Sequence, residues 1–75
     1  MKELLLVIAR NLVDNPSEVV VTESTRDDAT VLKLAVAPDD MGKVIGKQGR
    51  IARAIRTVVK AAAIHDDVKV VVEIG

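Results

Sequence analysis

The sequence predicts a single α+β domain over residues 1–75, in the order α-β-β-α-α-β, whose three-stranded mixed sheet carries three helices on one face. Three observations predict it. Apolar residues near the start recur at helical spacing, while those around residues 30–37 and 68–74 alternate as in strands. Between these two runs lies a two-helix crossover of about 30 residues, long enough for the last strand to run parallel to the one before it.

Lys2 to Asp14 is apolar at Leu4, Leu5, Ile8 and Leu12, the i, i+1, i+4, i+8 spacing of one helix face. Asn15-Pro16 ends this helix, because the residue before a proline is driven out of the helical region. Glu18 to Ser24 is β-branched through Val19, Val20, Val21 and Thr22 and reads as a strand. Thr25 to Ala29 is polar and turn-like. Thr30 to Ala37 resumes a strand in which Leu32, Leu34 and Val36 alternate with Val31, Lys33 and Ala35, and strands this close pair as an antiparallel hairpin. Pro38-Asp39-Asp40 starts a short helix, with an aspartate as N-cap, that runs to about Ile45 before glycines break it. Arg50 to Ile64 is the longest helical stretch. Val68 to Ile74 closes the chain as a strand with Val68, Val70, Val72 and Ile74 on one face.

Composition narrows the function. A 75-residue chain has room for one core, and domains near this size bury only about 60% of their unfolded surface. Without cysteine there is no disulfide, thiolate metal site or cysteine nucleophile, which fits a reducing cytosol. The apolar run Leu4 to Ala9 is far short of the roughly 20 residues a bilayer span needs, and no signal-peptide cleavage pattern follows it. These features predict a cytoplasmic protein that neither enters nor anchors to a membrane. Phe, Tyr and Trp are all missing. Sheets and barrels that stack bases on aromatic rings are therefore excluded, and any contact with a single strand must rest on backbone cradling, charge and aliphatic surface.

The net charge of zero hides a polarised chain. Lys43, Lys47, Arg50, Arg53, Arg56 and Lys60 fall between Met41 and Lys60 with no acidic residue among them, so the remainder sums to minus six. Nucleic-acid binding follows the local field, not the total. At the centre of this window, Gly46-Lys47-Gln48-Gly49 joins two helices between the apolar residues Val44-Ile45 and Ile51. Two glycines let backbone approach backbone with no Cβ in the way. Gly49 also opens the next helix, whose first N–H groups and positive dipole end favour a phosphate beside the charge of Lys47. A G-x-x-G alone is weak evidence, since one arises by chance in roughly a third of chains this long. A Walker loop fails on spacing, with Gly42 only four residues before Gly46 and Gln48 where Ser or Thr is required.

The stretch Val44-Ile45-Gly46-Lys47-Gln48-Gly49-Arg50-Ile51-Ala52-Arg53-Ala54-Ile55 resembles the KH-domain signature, whose GXXG loop clamps about four nucleotides of single-stranded RNA backbone. The element order is that of the prokaryotic type II KH fold, and Arg50 to Ala63 looks like the small stand-alone bacterial KH proteins of the KhpA type. The resemblance implies a non-catalytic RNA-binding protein acting as an RNA chaperone or post-transcriptional regulator. Gly46 to Gly49 would contact RNA, with Ile45 and the start of the following helix as one wall of the groove. Lys43, Arg50 and Arg53 flank that loop and join it as expected RNA contacts. Arg56 and Lys60 lie further along the same polar helix face, where charged side chains are usually only solvated. In many KH domains the third residue after the second glycine is a bulky aliphatic. Here it is Ala52, so a shallower groove with weaker base selectivity is expected.

No cofactor, metal ligand set or catalytic constellation emerges. His65 is the only histidine and sits at a helix end beside Asp66-Asp67, while Asp39-Asp40 and Asp27-Asp28 read as cap and turn residues. The competing function class is a protein-interaction module. The long helix is apolar at Ile51, Ala52, Ile55, Val58, Val59 and Ala62, and its alanines widen the stripe past what one small sheet needs to cover. The surplus edge Ala54-Val58-Ala61 is either a self-association surface or the seat of the first helix. The resemblance implies dimers, with a second copy or with a larger KH-containing partner.

Overall fold

The computed structural model describes residues 1–74. Its elements are α1 (Lys2–Leu12), β1 (Val20–Arg26), β2 (Ala29–Ala35), α2 (Met41–Ile45), α3 (Arg50–His65) and β3 (Val70–Ile74), with single 3₁₀ turns at Pro16–Glu18, Pro38–Asp40 and Lys47–Gly49. The sheet order is β1-β2-β3, with β1 antiparallel and β3 parallel to the central β2. The expected α-β-β-α-α-β order and mixed sheet are both present.

Register explains the core. Val21 pairs with Leu34 and Leu34 with Ile74, while Leu32 pairs with Val72, so these side chains fall on one face of the pleat. The helices cover that face with Leu5, Leu6 and Ala9 of α1, Val44 of α2, and Ile55, Val59 and Ala63 of α3. Leu5, Leu32, Leu34, Val44 and Val59 are less than 2% exposed. Each such side chain contributes roughly 1.5–3 kcal/mol relative to leaving it in water. Val31 is buried too, though it points to the opposite face between Ser24 and Val71, where the central strand is shielded by its neighbours.

The element boundaries differ from the sequence expectation for local reasons. Helix α1 stops at Leu12, two residues early, because Val13 turns extended (φ −100°, ψ 161°) and places its side chain in the core. Pro16–Glu18 forms a turn in which Glu18 and Val19 donate to the Asn15 and Pro16 carbonyls, so β1 starts at Val20 instead of Glu18. The hairpin turn is only Asp27-Asp28, because Thr25 pairs with Thr30 and Arg26 with Ala29, and Asp27 takes the positive φ of 54°. Short polar residues tolerate that region best. Val68 stays outside β3. It donates its N–H to the Ala63 carbonyl at 2.9 Å, and Asp67 at φ 58° donates to Ile64, closing α3 in a Schellman motif.

Candidate nucleic-acid interface

The loop between α2 and α3 is built from three residues of positive φ: Gly46 (74°), Gln48 (58°) and Gly49 (74°). The two glycines are needed for different reasons. A Cβ on Gly46 would lie 2.3 Å from Ile51 Cγ1 and 3.0 Å from the Ile51 nitrogen, so backbone and side chain meet there with no space for another atom. Gly49 faces open space but sits in the left-handed region as the N-cap of α3. The loop is tied internally: Gly46 N–H donates to Gly42 O at 2.8 Å, Gly49 N–H to Gly46 O at 3.2 Å, and Arg50 N–H to Lys47 O. The side chains of Lys47 and Gln48 are left exposed at the tip, and Ile45, 37% exposed, stands beside them. Ala52, at the position where bulk was expected, faces inward and is buried.

Helix α3 divides its polar side between two surfaces. Arg53, Arg56 and Lys60, at i, i+3 and i+7, follow one edge. Arg56 Nε donates to the Val72 carbonyl at 3.3 Å, and Arg56 and Lys60 with Val70, Val71 and Val72 line a groove of about 220 Å³. Because β3 is an outer strand, its free edge forms the second wall. Arg56 lies about two turns from the loop, roughly 10 Å along the helix axis. Nothing local to Arg56 and Lys60 signals this groove, since it depends on which strand ends up outermost.

The other edge is apolar. Ala54, Val58 and Ala61 are exposed, Val58 by 48%. Helix α1 borders this edge without closing it: Ile8 and Leu12 form an apolar hollow with Ile51, Ala54, Ile55 and Val58 that opens outward. Arg50 and Arg53 border the same patch beside Ala54, Thr57 and Val58. His65 is exposed at the end of α3, 3.3 Å from Asp66.

Asp40 departs from its expected role. It is the N-cap residue of α2 but makes no capping bond, and it is buried at 1% exposure. Its carboxylate reaches back across the fold to accept the N–H groups of Asp14 (3.2 Å) and Asn15 (3.0 Å) and the Asn15 amide (3.3 Å). Burial pushes its pKa up, but these three donors and the charge of Lys43, 3.6 Å away, outweigh that and hold it below the ordinary aspartate value. Lys43 in turn pairs with the exposed Asp14 carboxylate, whose hydrogen bond raises the Lys43 pKa against the opposing effect of partial burial. Lys43 is therefore one turn from the loop but already has two anionic partners.

Among the described residues no His, Cys, Asp or Glu group is placed to hold a metal ion, and no helix is long and apolar enough to cross a membrane. Fold, glycine loop and basic helix together define a KH domain. Residues 2–74 match the family model described as "KhpA/KhpB, KH domain". RNA-binding protein KhpA of Clostridium acetobutylicum is 64% identical over 74 residues, covering 99% of both chains. The Listeria monocytogenes protein of that name is 51% identical over 99% of this chain and 97% of its own, and that of Chlamydia trachomatis 47% identical. A crystal structure of Aquifex aeolicus Era superposes with a TM-score of 0.67 over 97% of this chain and 28% of its own, at 19% identity, a likeness of fold alone. This chain belongs to the KhpA/KhpB family of KH domains.

Proposed function

We propose that this chain binds single-stranded RNA through its sugar–phosphate backbone, without catalysis, at the Gly46–Gly49 loop. The observation that carries the reading is the loop itself: a close glycine turn presents Lys47 and Gln48 outward at the start of a basic helix. The loop and the α3 N-terminus meet phosphate, Ile45 gives aliphatic contact, and Lys43, Arg50 and Arg53 supply flanking charge. The RNA then continues along Arg56 and Lys60 beside β3. With no aromatic side chain to stack bases, affinity rests on charge, and sequence preference is weak. Such a protein suits an RNA chaperone or post-transcriptional regulator in the cytoplasm. In a salt titration with single-stranded RNA, log Kd against log salt should have a slope corresponding to about three to four neutralised phosphates. That is a change in log association constant of roughly −2 to −3 per decade of salt. Salt-independent binding would reduce the cluster to a solvated helix face.

The exposed Ala54-Val58-Ala61 edge favours a second property, assembly with another copy or with a larger KH-containing partner. Val58→Asp should then give a folded monomer by sedimentation, because the carboxylate would be buried unpaired in the interface yet solvated in the free protein. Two linked copies would hold long RNA more tightly than short RNA, a difference the monomeric variant should lose. Wild-type protein sedimenting as a monomer at tens of micromolar would remove the homodimer.

A further inference from the structure

The Asp14–Lys43 pair lies at the surface, where the end of α1 meets α2, and Lys43 stands one helical turn before the glycine loop. Asp40 is fixed, being buried with both carboxylate oxygens accepting N–H donors. Asp14 is not. Its side chain is 76% exposed, and its one ion pair among the described residues is with Lys43, whose own side chain is 41% exposed. Lys43 lies three residues before Gly46, with its ammonium 3.6 Å from Asp40. A carboxylate presented to an ammonium in this way offers the same anionic oxygens as a phosphodiester.

We infer that Asp14 acts as an intramolecular competitor for RNA phosphate, holding Lys43 out of the binding surface until a phosphate displaces it. This rests on the proposed RNA site and adds to it a residue that weakens binding. Lys43 then gives up one carboxylate as it gains a phosphate, so it adds less affinity and releases fewer counterions than an unpaired lysine would. The Asp40 contact persists in both states and keeps the ammonium from leaving α2 when Asp14 is displaced.

Asp14→Asn tests this directly. The substitution keeps the backbone N–H that Asp40 accepts, so the tie between the end of α1 and α2 stays in place. Binding of the full chain to a uniform 20-nucleotide uridine strand should tighten about two- to fivefold, the range of one exposed ion pair. The salt slope should steepen by about 0.7, one added phosphate contact on a single strand. Adding Lys43→Gln to Asp14→Asn should erase both gains. Unchanged or weaker binding by Asp14→Asn overturns the inference, and so does a gain that persists in the double variant, which would reflect net charge alone. Failure of the RNA site itself looks different, because substitutions in the Lys47-Gln48 tip would then leave affinity intact.

Discussion

Lys47→Asp combined with Gln48→Asp is expected to abolish measurable RNA binding while the domain stays folded. Both side chains are exposed at the loop tip, so the substitutions remove no packing. Gln48 already holds a φ of 58°, and aspartate tolerates that region at least as well as glutamine. The change replaces one positive and one neutral group by two negative ones where phosphate is to lie. At about 4–5 Å and an effective dielectric between those of a protein surface and bulk water, each repulsion costs roughly 1–4 kcal/mol, so affinity should fall by at least about a hundredfold. Fluorescence anisotropy with a labelled single strand reads the loss, and far-ultraviolet circular dichroism confirms the fold. A folded double variant with wild-type affinity would place the RNA site elsewhere.

Gly46→Ala should have the largest effect on stability of any single methyl addition in the loop. The new Cβ would need the space held by Ile51 Cγ1 and Cβ, at 2.3 and 2.9 Å, and the backbone at φ 74°, ψ 176° is a glycine-only conformation. Strain of about 1–3 kcal/mol and overpacking of similar size add to roughly 2–6 kcal/mol. For a domain this small that lowers Tm by on the order of 10–45 °C, a large part of the stability such a domain has. Gly49→Ala makes a sharp control, since its Cβ meets nothing within 4 Å and only the left-handed backbone penalises it, by about 1–2 kcal/mol. Equal melting temperatures for the two variants would mean that the contact with Ile51 does not constrain the loop.

What the sequence revealed and what it hid follow one physical division. Local signals are legible: the alternation of Leu32 and Leu34, the break at Asn15-Pro16, and the two glycines that end α2 and open α3. The strand boundaries shifted where a single turn intervened, at Pro16–Glu18 and in the Schellman closure at Asp67-Val68, because such turns trade only one or two hydrogen bonds and leave no composition signature. Asp40 was hidden more deeply. An aspartate after a proline has the look of a helix cap, yet its partners are Asp14 and Asn15, some 25 positions away, and only the packing of α2 against the end of α1 brings them together. The groove beneath Arg56 and Lys60 was illegible for the same reason: helix periodicity gives the face of each residue, but the strand that faces it is decided by the whole sheet.

The central strand has one partner two residues away around the hairpin and another about 40 positions along the chain, Thr30 against Val70. The glycine loop lies inside the segment that joins those two pairings. Hairpins close in microseconds, whereas a remote parallel pairing must first gather its long connection. A chain emerging from the ribosome can therefore complete β1 and β2 early and add β3 last. Because the sheet contacts of α3 are mainly with β3, the basic helix gains its seat on the sheet only with that last pairing.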